Sequence, residues 1–393
     1  MIRPSLPTLF LAYLKIGCTA FGGGLAALPI FRTELATRRA WLSETTVDEL
    51  FATAQAIPGV ILVNTAVLTA LPLRRRPGAV LASIAVVLPA FLLILLLGTW
   101  LLAHRDAPWL TSLWFGLRPA VVGLLLATAL RLLRTHVRRL AQALLAAAAF
   151  VYLLFRPSPL PVLLAAILIP PLLRRLRSRR LPPPPPAAQS TPGSHAPPPP
   201  PFMPALAATG PLLLPALLFL TFFKISLFSI GGGYNMIPLM QHELAAHDWL
   251  QPADFLDLFA LSEATPGPVA VNAATLAGAK VAGPWGALAA TTGACLPGFL
   301  VALFAGAWIL AHREHPDIAA ILRTLPPLLA GLILATAWRL FSALQLAASP
   351  HPCFQAVLLL LVALACFLRP RLSPVVPLAC CALLSFGLTT LFP

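Results

Sequence analysis

The chain carries one pattern twice, and this duplication limits what it can fold into more than any composition figure. Residues 8–134 and 217–342 repeat each other, with the closest agreement at residues that membrane-helix composition would not supply by chance. Phe21-Gly22-Gly23-Gly24 recurs as Ile230-Gly231-Gly232-Gly233, and Lys15 and Lys224 stand seven residues ahead of each first glycine. Pro29 answers Pro238 at the same offset of 209 residues. The second copy then lacks one residue, and the offset becomes 208 for Trp41-Leu42 and Trp249-Leu250, Pro58-Gly59 and Pro266-Gly267, Asn64 and Asn272, and Arg131 and Arg339. Two unrelated Leu/Ala-rich segments would share aliphatics, not Lys, Trp, Asn and three glycines in order. Many secondary transporters are built from such internal duplications of a membrane module.

Composition agrees with a membrane module. Hydrophobic residues make up 59% of the chain and charged residues 10%, with a mean hydropathy of +0.87, which excludes an ordinary soluble domain. Several apolar runs (78–103, 110–130, 286–311 and 318–338 among them) reach the roughly 20 residues a helix needs to cross hydrocarbon. They lack the alternation of barrel strands, so the fold class is an all-α integral membrane protein of two homologous helical repeats. The repeats predict about 10–12 membrane elements, some interrupted or re-entrant. In the first half these lie at 8–31, 46–71, 78–103, 110–134, 140–155 and 159–173, and in the second at 212–239, 254–280, 285–311, 318–342, 353–368 and 373–392.

The net charge of +15 does not point to nucleic acid, because the arginines lie in short clusters between apolar runs: Arg74–Arg76, Arg131–Arg139 and Arg174–Arg180. That is the positive-inside pattern of cytoplasmic loops. Two apolar elements separate one cluster from the next, which places all three on one face and favours parallel repeats. The acidic loop around Glu243, Asp248 and Asp254 suits the other face. Residues 1–180 form the first repeat and 205–393 the second. Between them, 181–204 holds two proline runs and reads as a solvated, cytoplasmic linker, since polyproline II leaves its backbone groups unpaired. Lys15 interrupts the first apolar run, so that run is not read as a secretory signal. The six cysteines have no metal-ligand or CxxC spacing and read as packing residues; no metal or cofactor is expected.

Four features recur in both halves and exceed what packing needs. The glycine triplets Gly22, Gly23, Gly24 and Gly231, Gly232, Gly233 predict either a helix break or a close helix contact, and the following prolines favour the break. Pro58-Gly59 and Pro266-Gly267 predict interruptions, which either kink a helix or offer a half-helix N-terminus to an anion. Lys15 and Lys224 lie too deep to snorkel; a lysine in hydrocarbon costs roughly 2.5–3.5 kcal/mol, so they hold an anion or cap broken helices. Asn64 and Asn272 serve a ligand or a neighbouring helix. Glu263 stands three residues before Pro266 and is a candidate proton-coupling group, whereas the matching Gln55 cannot titrate. No nucleotide-binding or hydrolytic motif is present, so no enzyme activity is expected.

Taken together, these motifs resemble the chromate transporter (CHR) family. The resemblance rests on Tyr13-Leu14-Lys15-Ile16-Gly17, Phe21-Gly22-Gly23-Gly24, Trp41-Leu42-Ser43-Glu44 and Gln55-Ala56-Ile57-Pro58-Gly59-Val60 with Asn64. It continues in Ile230-Gly231-Gly232-Gly233-Tyr234-Asn235, Ser262-Glu263-Ala264-Thr265-Pro266-Gly267-Pro268 with Asn272, and Leu296-Pro297-Gly298-Phe299. It implies a multi-pass protein of the bacterial inner membrane that exports chromate, a tetrahedral oxyanion shaped like sulfate, and so confers resistance. It also implies antiparallel halves, in conflict with the arginine pattern. Long members carry Phe-Gly-Gly-Pro and Pro-Gly-Pro in the first half. Gly22-Gly23-Gly24 and Pro58-Gly59-Val60 are closer to half-size members that work as pairs. The implied partners are the small oxyanion and the lipid bilayer, and a homo-oligomer is compatible with the sequence.

Overall fold

A computed structural model describes residues 4–20, 27–104, 107–156, 158–178, 213–231, 233–312, 315–344, 350–369 and 375–391. The linker 181–204 and Gly22, Gly23, Gly24 and Gly232 lie outside the described residues. Each repeat opens with a helix that stops early: α1 (Leu6–Thr19) and α8 (Leu213–Leu227). The chain then turns back as α2 (Leu28–Phe31, continued by a π-helix over Arg32–Arg38) and α9 (Ile237–Ala246). A straight helix would hold Lys15 and Glu34 about 28 Å apart, yet their side chains are in contact. The expected elements at 8–31 and 212–239 are therefore re-entrant hairpins, with α1 ending at Thr19 and α8 at Leu227.

The one-residue difference in length between the copies has a local explanation. Trp41 N–H reaches back six residues to the Leu35 carbonyl, whereas Trp249 N–H reaches back five to Leu244. The extra residue of the first copy is absorbed as π-helix, the usual way a helix takes an insertion without losing its axis.

A second interruption follows in each repeat, between α3 (Glu44–Ala56) and α4 (Ile61–Ala103) and between α10 (Pro252–Ala264) and α11 (Val269–Ala311). Helices α4 and α11 are each a folded-back pair. Arg74 (φ −142°, ψ 24°) and Arg75 (φ 52°, ψ −151°) turn the first; Ala282 (φ −141°, ψ 28°) and Gly283 (φ 61°, ψ −153°) turn the second with nearly the same dihedrals. The Thr275 and Thr291 hydroxyls, sixteen residues apart, are hydrogen-bonded at 2.7 Å across that turn. The remaining helices are α5 (Pro108–His136), α6 (Leu140–Phe155) and α7 (Leu160–Ser178), matched by α12 (Pro316–Ser342), α13 (Pro350–Phe367) and α14 (Val375–Leu391). They exchange partners: α5 packs on α13 and α14, and α12 packs on α6 and α7. Among the described residues, Ile61–Gly98, Ser112–His136, Val269–Ala311 and Pro316–Ser342 are long and apolar enough to cross a membrane.

The repeats are inverted, which corrects the parallel arrangement read from the arginine clusters. Ala90 lies against Gly267 and Gly98 against Leu276, so the outgoing arm of α4 runs alongside the first arm of α11 in the same direction. Gly59 against Gly298 and Leu68 against Gly306 repeat this with the copies exchanged. Within each repeat the two arms oppose each other, so equivalent arms of the two repeats are antiparallel. The arginine clusters mark one face correctly but say nothing of the second copy's direction. Its matching turn, Ala282-Gly283-Pro284, has lost the arginines of Arg74-Arg75-Arg76, as a turn on the opposite face should.

Candidate functional site

Each Pro-Gly interruption is docked against the opposite repeat. Gly59 adopts φ +95° and Gly267 φ +114°, a region open to glycine and costly to other residues. Each glycine N–H donates to the other repeat: Gly59 to the Ser229 carbonyl at 2.7 Å, and Gly267 to the Ala20 carbonyl at 2.6 Å. The tip of each second hairpin is thus pinned to the frayed end of the opposite repeat's opening helix. A side chain at Gly267 would collide with Ala90, and one at Gly59 with Ser226 and Gly298. New helix N-termini begin at Ile61 and Val269, and their first-turn N–H groups have no acceptor within the helix.

Asn64 and Asn272 each bridge the arms of a hairpin through their side-chain amides. The Asn64 amide donates to the carbonyls of Ala54, Ile57 and Pro58 at 3.1–3.3 Å, and that of Asn272 to Ser262, Thr265 and Pro266 over the same range. Each ties the arms on either side of a break together, and each is fully buried. Their Oδ1 atoms have no hydrogen-bond partner among the described residues.

Each lysine is held by a carboxylate from the returning arm of its own hairpin. Lys15 Nζ lies 3.2 Å from Glu34 Oε2, and Lys224 pairs with Glu243. Both glutamates are buried while the lysine side chains are about half exposed. The repeat offset of 209 that relates the lysines also relates Glu34 to Glu243, and that was the overlooked signal. Lys15 stands five residues before Ala20, and Lys224 five before Ser229, so each lysine sits about 7 Å along its helix from the interlock. A cavity of about 280 Å³ opens beside Lys15, walled by Thr19, Pro29, Thr33, Glu34 and Arg38 of the same hairpin.

Gly231, with φ +89°, and Gly233 flank the second break, where the Asn235 amide caps the Ile230 carbonyl at 2.8 Å. Glu263 is fully buried on α10, and neither carboxylate oxygen has a hydrogen-bond partner among the described residues. The Tyr234 hydroxyl faces it without meeting hydrogen-bond geometry. A further pairing invisible in the sequence joins the repeats: Arg118 of α5 grips Asp257 of α10 with two hydrogen bonds of 2.7 and 2.8 Å. Asp254, one turn earlier, pairs with Lys280 at 2.7 Å. The positions matching Arg118 and Lys280 in the other copy are Pro326 and Pro72, so this cluster belongs to one face only.

Against known proteins, a family model described as chromate transporter matches residues 7–170 and 216–386, once over each repeat. The chromate transport protein of Pseudomonas aeruginosa is 28% identical over 357 residues, which is 84% of this chain and 80% of that one. That of Cupriavidus metallidurans is 25% identical, covering 80% and 78%. An uncharacterized transporter of Methanocaldococcus jannaschii is 26% identical, covering 77% and 76%. No solved structure matches.

Proposed function

The chain belongs to the chromate transporter family, and from that premise we propose that it exports a tetrahedral oxyanion, chromate first and sulfate as its isostere, across the bacterial inner membrane. The observation that carries this reading is the interlock itself. Two matching half-helix N-termini, one from each inverted repeat, are each pinned to the opposite repeat's opening helix, which carries Lys15 or Lys224. Half-helix N-termini supply partial positive charge and free N–H donors, which suit an anion stripped of water. The inverted repeats suggest how access alternates: the two hairpin pairs exchange roles by rocking about a fixed centre. In this reading Lys15, Lys224, Gly231, Gly233, Pro58-Gly59 and Pro266-Gly267 form one pseudosymmetric path, and Asn64 and Asn272 hold its walls. Glu263, a fully buried carboxyl facing Tyr234, carries the coupling proton, the role an acid inside a membrane element most often serves.

Cells expressing the chain should accumulate less chromate than cells carrying an empty vector. Proteoliposomes containing it should move labelled sulfate or chromate. Unchanged accumulation together with absent flux of both anions would defeat the substrate assignment.

A further inference from the structure

The two opening hairpins share a fold but not a charge. Glu34 is ringed by three cations: Lys15 at 3.2 Å and Arg38 at 3.5 Å on Oε2, and Arg39 at 2.7 Å on Oε1. The formal balance at this mouth is +2. In the second hairpin, Arg39 is replaced by His247: Arg39 lies over the Trp41 ring at 4.8 Å, and His247 stacks on Trp249 at 4.5 Å. Arg38 lies within the π-helical stretch that takes up the first copy's extra residue, and Ala246 precedes His247 in the second copy. The second mouth therefore has Lys224 against Glu243, with the formal balance near zero while its histidines are neutral. Because the repeats are inverted, the two mouths open on opposite faces, and the +2 mouth lies on the face of Arg74–Arg76.

We infer that the cavity between the arms of the first hairpin is an oxyanion-admission site, in which Lys15 and Arg38 exchange Glu34 for an arriving tetrahedral oxyanion, and that the second mouth is its weaker, releasing counterpart. This rests on the oxyanion reading above. Lys15 and Arg38 are the two half-exposed cations, and both sit on the same carboxylate oxygen, facing the cavity. The more buried Arg39 can keep Oε1 occupied while Oε2 is released. Glu34 thus acts as a resident anion: it keeps the site charged and satisfied when empty, and an incoming dianion has to outcompete it. At the far mouth the groups facing His247 are Glu243 and Lys224, with His242 and Arg339 nearby. Burial holds the His247 imidazole below its ordinary pKa, and Arg339 donates to the Leu153 carbonyl, so at neutral pH that mouth lacks the arginine pair that surrounds Glu34 and lets the anion go.

The test is equilibrium binding of labelled sulfate to the full chain in nanodiscs, alongside sulfate flux in proteoliposomes. Arg38→Ala with Arg39→His copies the second mouth into the first, and should raise the sulfate Kd about tenfold, since the half-exposed Arg38 and the more buried Arg39 are both lost as strong cations. Glu34→Gln removes the competitor and should lower the Kd while slowing turnover; a merely structural ion pair would give no tightening. If Glu34→Gln does not fold, the Arg38/Arg39 variant still decides. Unchanged sulfate affinity in that variant, with wild-type flux intact, overturns the admission site alone. A wild-type chain that moves neither sulfate nor chromate overturns the transport reading and this site with it.

Discussion

In the first repeat the opening hairpin closes with Lys15, Arg38 and Arg39 around Glu34; in the second, Lys224 meets Glu243 and a histidine stands where the arginine was. At the interlock the copies do not diverge in this way. Gly59 and Gly267 share a left-handed backbone, and Asn64 and Asn272 bind equivalent carbonyls. Gln55 and Glu263 differ again. The Pro-Gly and asparagine devices and one Lys–Glu pair are kept in both copies, whereas the ionisable groups around that pair are not. What both faces need is the shape of the path; what distinguishes the faces is charge, and a transporter with direction requires the faces to be distinguished.

The sharpest way to break this comparison is at a backbone device. Gly267→Ala places a Cβ 2.3 Å from that of Ala90 at φ +114°. It should destabilise by about 3 kcal/mol, combining left-handed strain with overpacking, and thermal unfolding in nanodiscs measures it. Gly283→Ala is the control: its φ is +61° but nothing lies within 4 Å, and its counterpart is already a non-glycine, Arg75. There the cost should be about 1 kcal/mol.

Next come the asparagines. Asn64→Leu and Asn272→Leu each leave buried carbonyls unpaired and should cost about 1–3 kcal/mol. Equal losses would support a shared scaffold; a loss confined to one copy would break the symmetry. Glu263→Gln makes the second copy resemble the first, and should leave sulfate binding in place while uncoupling flux from an imposed pH gradient. Proton-driven flux that persists in this variant rules out Glu263 as the coupling group. The smallest effect is expected at the one-sided cluster. Arg118→Ala removes a partly exposed pair with Asp257 and should lower stability by about 1 kcal/mol.

The duplication, the helical class and both sets of breaks were legible because proline, glycine and repeat spacing act locally on the backbone. Glu34 and Glu243 were not read as lysine partners, since pairing them requires knowing that the chain reverses between residues 20 and 27. The inversion was hidden for a related reason. Arginine clusters report a face, and only the loss of those arginines from the matching turn at 282–284 reports the second copy's direction. Arg118 and Asp257 lie 139 residues apart in different repeats, with no counterpart in the other copy to flag them.

The central claim is that one anion path runs through both repeats, past Lys15 on one face and Lys224 on the other. It is tested most directly by labelled chromate flux in proteoliposomes, comparing the wild type with the Lys15→Gln/Lys224→Gln double variant at matched protein content. The expected result is flux in the wild type, loss of most of it in the double variant, and intermediate loss in each single variant. Equal chromate flux by the wild type and the double variant would contradict the claim.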